Sequence, residues 1–250
     1  METVRKIFSE LCLLAPLELQ MGFDNSGFLF GREYAEVSKV LLALDITPAV
    51  VDEAIELGAE LIVSHHPLIF SPLKSVTDEK LLKLAANNIS VISMHTNLDI
   101  AKGGVNDVLM AALGASVDAP LDEQNCGRIG TMPEAMGMES FLALCKEVLK
   151  TNGLRYYNSG KPVKKLAVMG GSGGDSVETA FRLGCDTYLT ADIKYHQFLQ
   201  AAELGINLID GDHFCTENLV IPALADKLRE SINDVLFIVS KSHRQIISFA

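Results

Sequence analysis

Two adjacent histidines, His65 and His66, directly follow the apolar run 61–64 and constrain the fold of this chain more than any other feature. Successive side chains of a regular strand point to opposite faces, so both rings can reach one place only where the strand ends. Pro67 supports a strand end here, because proline cannot donate to a sheet and favours an extended residue before it. Neighbouring imidazoles at a sheet edge predict a metal site.

Three further segments place candidate ligands at or just beyond the end of an apolar stretch: residues 95–99, 192–196 and 213–217. In open α/β sheets this edge is where ligands usually bind. The i, i+4 spacing of His213 and Glu217 would put both side chains on one face if residues 213–217 form a helix.

Together these segments offer three imidazoles and two carboxylates, which suit divalent ions such as zinc, manganese, iron or nickel. Adjacent imidazoles that splay apart favour two ions over one. Two ions roughly 3.5–4 Å apart can share a bridging carboxylate and activate a water for hydrolysis. The candidate ligands are His65, His66, Asp99, His213 and Glu217.

The composition argues against several classes of protein. The 250-residue chain is 48% hydrophobic and has a net charge of −11, which disfavours binding to a nucleic-acid backbone. No apolar run approaches the roughly 18 residues of a membrane span, and the first residues lack a signal peptide's apolar core, so we expect a cytoplasmic protein. Five cysteines without a CxxC pair disfavour a zinc–thiolate site and a disulfide framework. Cys215 is an alternative nucleophile.

Strand-like and helix-like segments alternate, which predicts an α/β fold built of βαβ units. Thr47 can cap a helix that begins at Pro48 and ends at Gly58. Thr77 can cap a second helix, through Leu84. The strands of the first half are predicted at residues 39–44, 61–64 and 90–94.

The second half of the chain repeats this plan. Residues 54–60 and 180–186 share their order of small, apolar, charged and glycine positions at an offset of 126 residues, which sets Asp192 opposite His66. We therefore expect two similar α/β lobes from an internal duplication, with a dinuclear metal site between them. The alternative is that any two βαβ units look alike at this level.

A polar, turn-rich segment, residues 120–127, predicts the linker between the lobes. The first lobe is then expected over residues 1–119 and the second over residues 128–239. The strand-like tail, residues 240–250, is a candidate to return to the first lobe.

Other polar residues near the predicted site are His95, Asp192 and His196, which are candidates to orient the ligands, to bind substrate or to shuttle protons in catalysis. A glycine-rich turn also follows a strand and precedes a helix, where backbone amides can hold a phosphate. It lacks the lysine of a P-loop, and the alternative is a tight structural turn. The residues concerned are Gly171, Ser172 and Gly173.

These motifs resemble those of the NGG-interacting-factor-3-like (Nif-3-like) family, whose members carry the name GTP cyclohydrolase 1 type 2 homolog. The matching segments span nearly the whole chain: residues 23–27, 64–67, 95–99, 192–196 and 211–217. The resemblance implies two α/β lobes, a toroidal homohexamer and two metal ions bridged by Glu217. It implies the ligand set His65, His66, Asp99, His213 and Glu217.

The chain departs from the family pattern at two positions. Phe23 stands where the family usually has tryptophan, which keeps an aromatic ring. Asp212 stands where the family usually has glycine, and a carboxylate there could add charge near the metal or alter metal preference. Neither departure removes a ligand.

The main functional hypothesis is a dinuclear-metal hydrolase that acts on a nucleotide or similar heterocycle. For GTP, the resemblance implies hydrolytic opening of the guanine imidazole ring with release of formate. The alternative is a non-enzymatic role, in which a metal-loaded ring is a scaffold, a regulator or a metal-handling protein. DNA binding through the ring is disfavoured by the net charge of −11.

Overall fold

The computed structural model describes residues 1–151 and 153–248, and in these ranges the chain divides into two compact units. Unit 1 comprises Met1–Lys102 and Ile221–Arg244. Unit 2 comprises Gly103–Val220 and the end of the chain from Gln245. None of the helices in the described ranges has the length and apolar content needed to cross a bilayer.

The strands and helices alternate along most of the chain, as the sequence predicts. The strands are β1 (Glu2–Thr3), β2 (Gly27–Phe30), β3 (Glu36–Val37), β4 (Lys39–Ala43), β5 (Leu61–Ser64), β6 (Ser90–Ser93), β7 (Ala119–Pro120), β8 (Arg128–Met136), β9 (Arg155–Tyr157), β10 (Val163–Ser172), β11 (Thr187–Ala191), β12 (Asn207–Asp210) and β13 (Leu236–Val239). The helices are α1 (Val4–Leu14), α2 (Pro48–Leu57), α3 (Glu79–Ala86), α4 (Thr96–Ile100), α5 (Val105–Ala112), α6 (Met138–Leu149), α7 (Val177–Arg182), α8 (Tyr195–Leu204), α9 (His213–Glu217) and α10 (Val220–Ser231). Short 3-10 helices form at Leu17–Leu19 and Gly174–Ser176.

Unit 1 contains a five-stranded sheet in the order β13-β4-β5-β6-β2, in which β2 alone is antiparallel to its neighbour. All four residues of β5 and of β6 are buried, as expected for central strands of a parallel sheet. The predicted helix caps are confirmed at α2, where the Thr47 side chain accepts from Val50 N and Gly58 adopts φ 63°. At α3 the cap is Asp78 rather than Thr77, because the Asp78 carboxylate accepts from Lys80 N.

Unit 2 contains a six-stranded sheet in the order β7-β8-β10-β11-β12-β9, with β10, β11 and β12 parallel. Alternate residues of β10 enter two different apolar clusters: Leu166 and Val168 pack with Phe141 of α6, whereas Ala167 packs with Tyr188. The sheet therefore has an apolar core on each face, which the period-two alternation of strand side chains requires.

The two sheets share a topology. In each, three parallel strands in sequence order are followed by an antiparallel strand that precedes them in the chain: β4-β5-β6-β2 and β10-β11-β12-β9. Even the register agrees, since Val40 pairs with Leu61 and Leu166 with Thr187, which is the same pairing displaced by the offset read from the sequence.

The boundaries of the units differ from those expected from the sequence. Residues 120–127 are not a linker, because Ala119–Pro120 pairs with β8 inside unit 2 and the division falls after Lys102. Leu236–Val239, expected in the second lobe, pairs in parallel with β4 and belongs to unit 1.

Only the first part of the expected tail, residues 240–244, belongs to unit 1, and it is not a strand there. The described part of the tail, residues 240–248, contains no strand, and the last two residues of the expected tail lie outside the described ranges. Ser240, Lys241 and Ser242 instead hydrogen-bond to the carboxylate of Glu53 in α2.

Candidate metal centre

Three imidazoles of unit 1 form a cluster at the carboxyl ends of neighbouring parallel strands. His65 and His66 directly follow β5, and His95 follows β6 by one residue. One ligand atom of each ring lies within 4.8 Å of those of the other two, a spacing that could hold a metal ion. We call His65, His66 and His95 the imidazole cluster.

The adjacent rings of His65 and His66 do not point to opposite faces. Their centroids lie 5.0 Å apart, and they lie 5.2 and 5.6 Å from the centroid of His95. Because β5 ends at Ser64, the alternation of a regular strand no longer separates the two side chains. The structure thus confirms that the pair sits at a strand end, while the rings converge on a third imidazole rather than splaying apart.

Each ring of the cluster is held by its Nδ1 atom. His65 Nδ1 lies 2.8 Å from the carbonyl oxygen of Met94, and His66 Nδ1 lies 2.7 Å from Asp45 Oδ1. His95 Nδ1 lies 2.7 Å from Asp24 Oδ1. Such contacts fix the tautomer and orientation of a metal-binding histidine, so Nε2 is the nitrogen that would ligate a cation.

Asp99 adds a carboxylate beside the imidazole cluster. It lies in the short helix α4, and its Oδ1 atom is 3.6 Å from His65 Nε2. The Asp99 residue is 8% exposed and His65 is fully buried. A buried carboxylate next to a buried imidazole is costly unless positive charge compensates it, and a divalent cation supplies that charge.

The carboxylate of Asp24 fixes one side of the imidazole cluster by hydrogen bonding. Its carboxylate accepts hydrogen bonds from His95 and from the backbone and hydroxyl of Thr96 as well as from Ser26. Burial raises the pKa of Asp24, but these bonds and the charge of His95 outweigh burial and hold the pKa well below its usual range. Asp24 therefore stays ionised and locks the His95 ring.

Asp24 and Asp45 are functional positions that the sequence reasoning did not assign. Asp45 is the second residue after β4, as His66 is the second residue after β5, so both lie at the same edge of the sheet. Its position after a strand could have identified Asp45 as a candidate site residue from the sequence. Asp24 lies before β2, and nothing in its local pattern points to His95, which is far away in the chain.

Unit 2 carries a second group of ligand-type side chains, the His213–Glu217 pair. Residues 213–217 form α9, so the i, i+4 spacing brings His213 Nε2 within 3.1 Å of Glu217 Oε2. His213 Nδ1 is 2.7 Å from Asp192 Oδ2. Asp192 thus orients a candidate ligand, which is one of the three roles that the sequence allows for it.

The charges around His213 change its affinity for a proton. Burial lowers the pKa of His213, but hydrogen bonds and charges of Glu217 and then Asp192 outweigh burial and raise the pKa to about 9. A cation must therefore displace a proton from this ring at neutral pH. Cys215 is no nucleophile at that pH, because burial and then Asp212 raise its pKa to about 11.

Gly171 lets the Glu217 carboxylate approach the backbone. A Cβ atom at Gly171 would lie 2.1 Å from Glu217 Oε1, and the residue has φ +67°, which disfavours side chains. Its amide donates to Thr216 Oγ1 and is not available to a phosphate. Gly171 and Ser172 belong to β10, so the predicted turn begins later than expected, and Gly173 packs against Thr190 and Tyr188. A phosphate role for Ser172 and Gly173 stays a prediction.

Two remaining residues have simpler surroundings. His196 is exposed in the first turn of α8 and, among the described residues, joins none of the candidate metal groups. Asp212 has φ 72° and caps α9 by accepting from Cys215 N. The helix cap compensates for a backbone conformation that is unfavourable for aspartate.

Known proteins resemble this chain over most of its length. A family described as Duf34/NIF3 (NGG1p interacting factor 3) matches residues 2–245. A Clostridium perfringens protein named GTP cyclohydrolase 1 type 2 homolog is 37% identical over 249 residues, covering 94% of this chain and 95% of that protein. A Helicobacter pylori protein named GTP cyclohydrolase 1 type 2 is 37% identical over 227 residues, covering 87% and 88%.

Solved structures agree in fold. The Bacillus cereus protein related to NIF3 is 26% identical, with a TM-score of 0.90 over 100% of this chain and 99% of that one. Reduced HcgD from Methanocaldococcus jannaschii is 29% identical, with a TM-score of 0.86 over 96% and 98%. On sequence and fold together, this chain belongs to the Duf34/NIF3 family.

Proposed function

We propose that the protein is a metal-dependent hydrolase whose centre holds two divalent ions. The observation that carries this proposal is the fixing of His65, His66 and His213 through Nδ1, which assigns Nε2 of each ring to a cation. The ligand set is the one that the resemblance to the Nif-3-like family implies. The proposed ligands are His65, His66, Asp99, His213 and Glu217.

The donor set fits such ions. Three neutral imidazoles and two carboxylates suit zinc, manganese, iron or nickel, and the two carboxylates offset part of the cationic charge. When bound, the ions would supply Lewis acidity and an activated water.

The remaining polar residues have supporting roles. Asp45 and Asp192 hold the rings of His66 and His213, and the Met94 carbonyl holds His65. His95 stays outside the proposed ligand set: Asp24 holds its Nδ1 atom, and its proposed role is to move a proton to or from the substrate.

The names of the relatives from Clostridium perfringens and Helicobacter pylori suggest the reaction. GTP is the proposed substrate, and hydrolysis opens the imidazole ring of guanine and releases its carbon as formate.

The test is formate release from GTP by protein loaded with zinc, manganese, iron or nickel, with metal content measured by elemental analysis. Asp99→Asn and Glu217→Gln should lower both metal content and formate release, whereas Asp118→Asn, an exposed carboxylate bonded to Ser116 and Thr131, should change neither. A loaded protein that releases no formate would refute the GTP assignment. Retention of both ions by the two variants would refute the ligand set.

The family description as an interacting factor favours a second candidate, a metal-loaded scaffold or regulator. In that case cells that carry Asp99→Ala or Glu217→Ala should keep the normal phenotype despite loss of metal. For the enzyme, the same variants should reproduce the phenotype of a deletion.

Two further proposals concern architecture. The shared strand order and register of the two sheets support an internal duplication, in which the loop after β5 differs in length between the copies. The family resemblance supports a toroidal homohexamer, and sedimentation velocity would measure its mass.

A further inference from the structure

Two exposed phenylalanines stand next to the imidazole cluster. Phe23 is 65% exposed and Phe70 is 50% exposed. Their ring centroids lie 6.4 Å apart with planes at 47°, and the Phe70 ring stands edge-on to His95 at 6.2 Å. We call Phe23 and Phe70 the aromatic wall. Exposed phenyl rings are unfavourable in water, so their placement beside a candidate catalytic histidine needs an explanation.

Polar contacts fix the backbone of the segment that carries Phe23. Asp24 binds the His95 ring and the Thr96 backbone at 2.7 and 3.0 Å. Met21 N donates to Thr96 Oγ1 at 2.9 Å, and Ser26 N donates to Gln20 Oε1 at 3.0 Å. The backbone that carries Phe23 is therefore held in one place relative to His95.

The segment that carries Phe70 is hydrogen-bonded to the segment that carries Phe23. Asn25 Nδ2 donates to the carbonyl oxygen of Ile69, at 2.5 Å, so the residue before Phe70 is joined to the second residue after Phe23. One short stretch, residues 23–26, thus orients His95 through Asp24 and joins the backbone segments that carry both rings of the aromatic wall. A preorganised aromatic surface of this kind lowers the entropic cost of binding a ligand.

The size and chemistry of the wall define its occupant. Two partly exposed phenyl side chains offer on the order of 200 Å² of surface, well below the roughly 800 Å² per partner of a stable protein interface. This area suits one flat bicyclic ring, which can stack on one phenyl face while the other phenyl ring, inclined by 47°, contacts its edge. His95, at the edge of Phe70, offers a polar group to the rim of such a ring.

We propose that the aromatic wall is a substrate subsite that stacks a flat, purine-like heterocycle and presents its polar edge to His95. The wall serves catalysis only if the proposed hydrolase function holds, but the stacking itself does not require metal. The expected ligand class is a nucleobase or a fused heterocycle of similar size.

The experiment measures binding of GTP and ATP to the full chain, with and without metal, by isothermal titration calorimetry. Ribose 5-phosphate serves as a probe without an aromatic ring. Phe23→Leu and Phe70→Leu keep an apolar side chain but remove the π face, and each should raise the Kd for GTP about 5- to 30-fold. Phe23→Trp should bind at least as tightly as the parent, and the Kd of ribose 5-phosphate should not change.

The matched control is Tyr34→Leu, which removes another ring of unit 1 that is 70% exposed and should leave the Kd for GTP within twofold. Equal GTP binding by the parent and both leucine variants, or no GTP or ATP binding by the parent, would overturn the subsite. A leucine-induced change in sedimentation coefficient would do so as well, because it would identify the wall as an interface between copies. Wall-dependent GTP binding by a protein that takes up no metal would support the subsite and defeat the proposed hydrolase.

Discussion

Gly171 shows how much one missing side chain can decide at the proposed centre. The Glu217 carboxylate occupies the space that a Cβ atom would take, 2.1 Å from Oε1, and the backbone has φ +67°. Glycine is needed here for space as well as for backbone conformation. The phosphate cradle predicted for the glycine-rich segment does not require this close approach.

We expect Gly171→Ala to lower both stability and metal content, because Glu217 must move as well as the backbone. Gly205→Ala is the matched control: φ is +69° there and nothing lies within 4 Å of the added Cβ. The control should lose only the left-handed strain of roughly 1–2 kcal/mol and keep its metal. Urea unfolding and elemental analysis measure both effects, and equal metal content in the two variants would contradict the role given to Gly171.

The metal-free protein should lose stability as the pH rises from about 6.5 to about 9, because the pKa of His213 is raised in the folded state to about 9. A raised pKa stabilises the fold fully below the unfolded value and ceases to do so above the folded value. His213→Gln should flatten this part of the profile of unfolding free energy against pH. An unchanged slope of unfolding free energy against pH in the variant would show that charged His213 does not cause the loss of stability.

At the scale of single elements, α9 sets the spacing of the His213–Glu217 pair. A helix of only five residues has little intrinsic stability, so its cap matters. Asp212 supplies that cap from a backbone conformation with φ 72°, which favours glycine. The side chain and the backbone at this position therefore act in opposite directions on the free energy of unfolding.

Replacing Asp212 by glycine and by alanine separates these effects. Asp212→Gly loses the cap but relieves the backbone, so we expect a change in unfolding free energy below about 1 kcal/mol. Asp212→Ala loses the cap and keeps the strain, so we expect a loss of about 1–3 kcal/mol. Chemical denaturation measures both, and a larger loss for glycine than for alanine would contradict the assigned conformation.

At the scale of the whole molecule, the chain leaves unit 1 at Lys102 and re-enters it at Ile221. The returning segment contributes β13 to the edge of the unit 1 sheet, and Phe237 in β13 is 1% exposed. Unit 1 is thus assembled from both ends of the chain, and folding of its sheet requires a contact of long sequence separation.

Phe237→Ala should destabilise unit 1 by about 3–5 kcal/mol, because it removes a buried ring from the returning strand. Hydrogen–deuterium exchange should then rise first in peptides that cover β4. The matched control, Phe141→Ala, removes a fully buried ring from unit 2 and should raise exchange in β10 instead. Faster exchange of β10 in the Phe237 variant would contradict the assignment of β13 to unit 1. It would instead support the second lobe expected from the sequence, residues 128–239.

Much of the local structure could be read from the sequence. Thr47, Pro48 and Gly58 set the ends of α2 through capping and backbone conformation, which depend on neighbours along the chain. The apolar run before His65 predicted a buried strand for the same reason. The family assignment was also within reach, because its motifs are short and contiguous.

The sequence by itself determined which side chains could serve as ligands and which segments form strands and helices, because both follow from residue type and local periodicity. Only the tertiary structure decided that β13 joins β4, that Asp24 holds His95 and that Gly171 accommodates Glu217. Those pairings join residues far apart in the chain, and their partners are selected by packing and hydrogen bonding that no local pattern encodes.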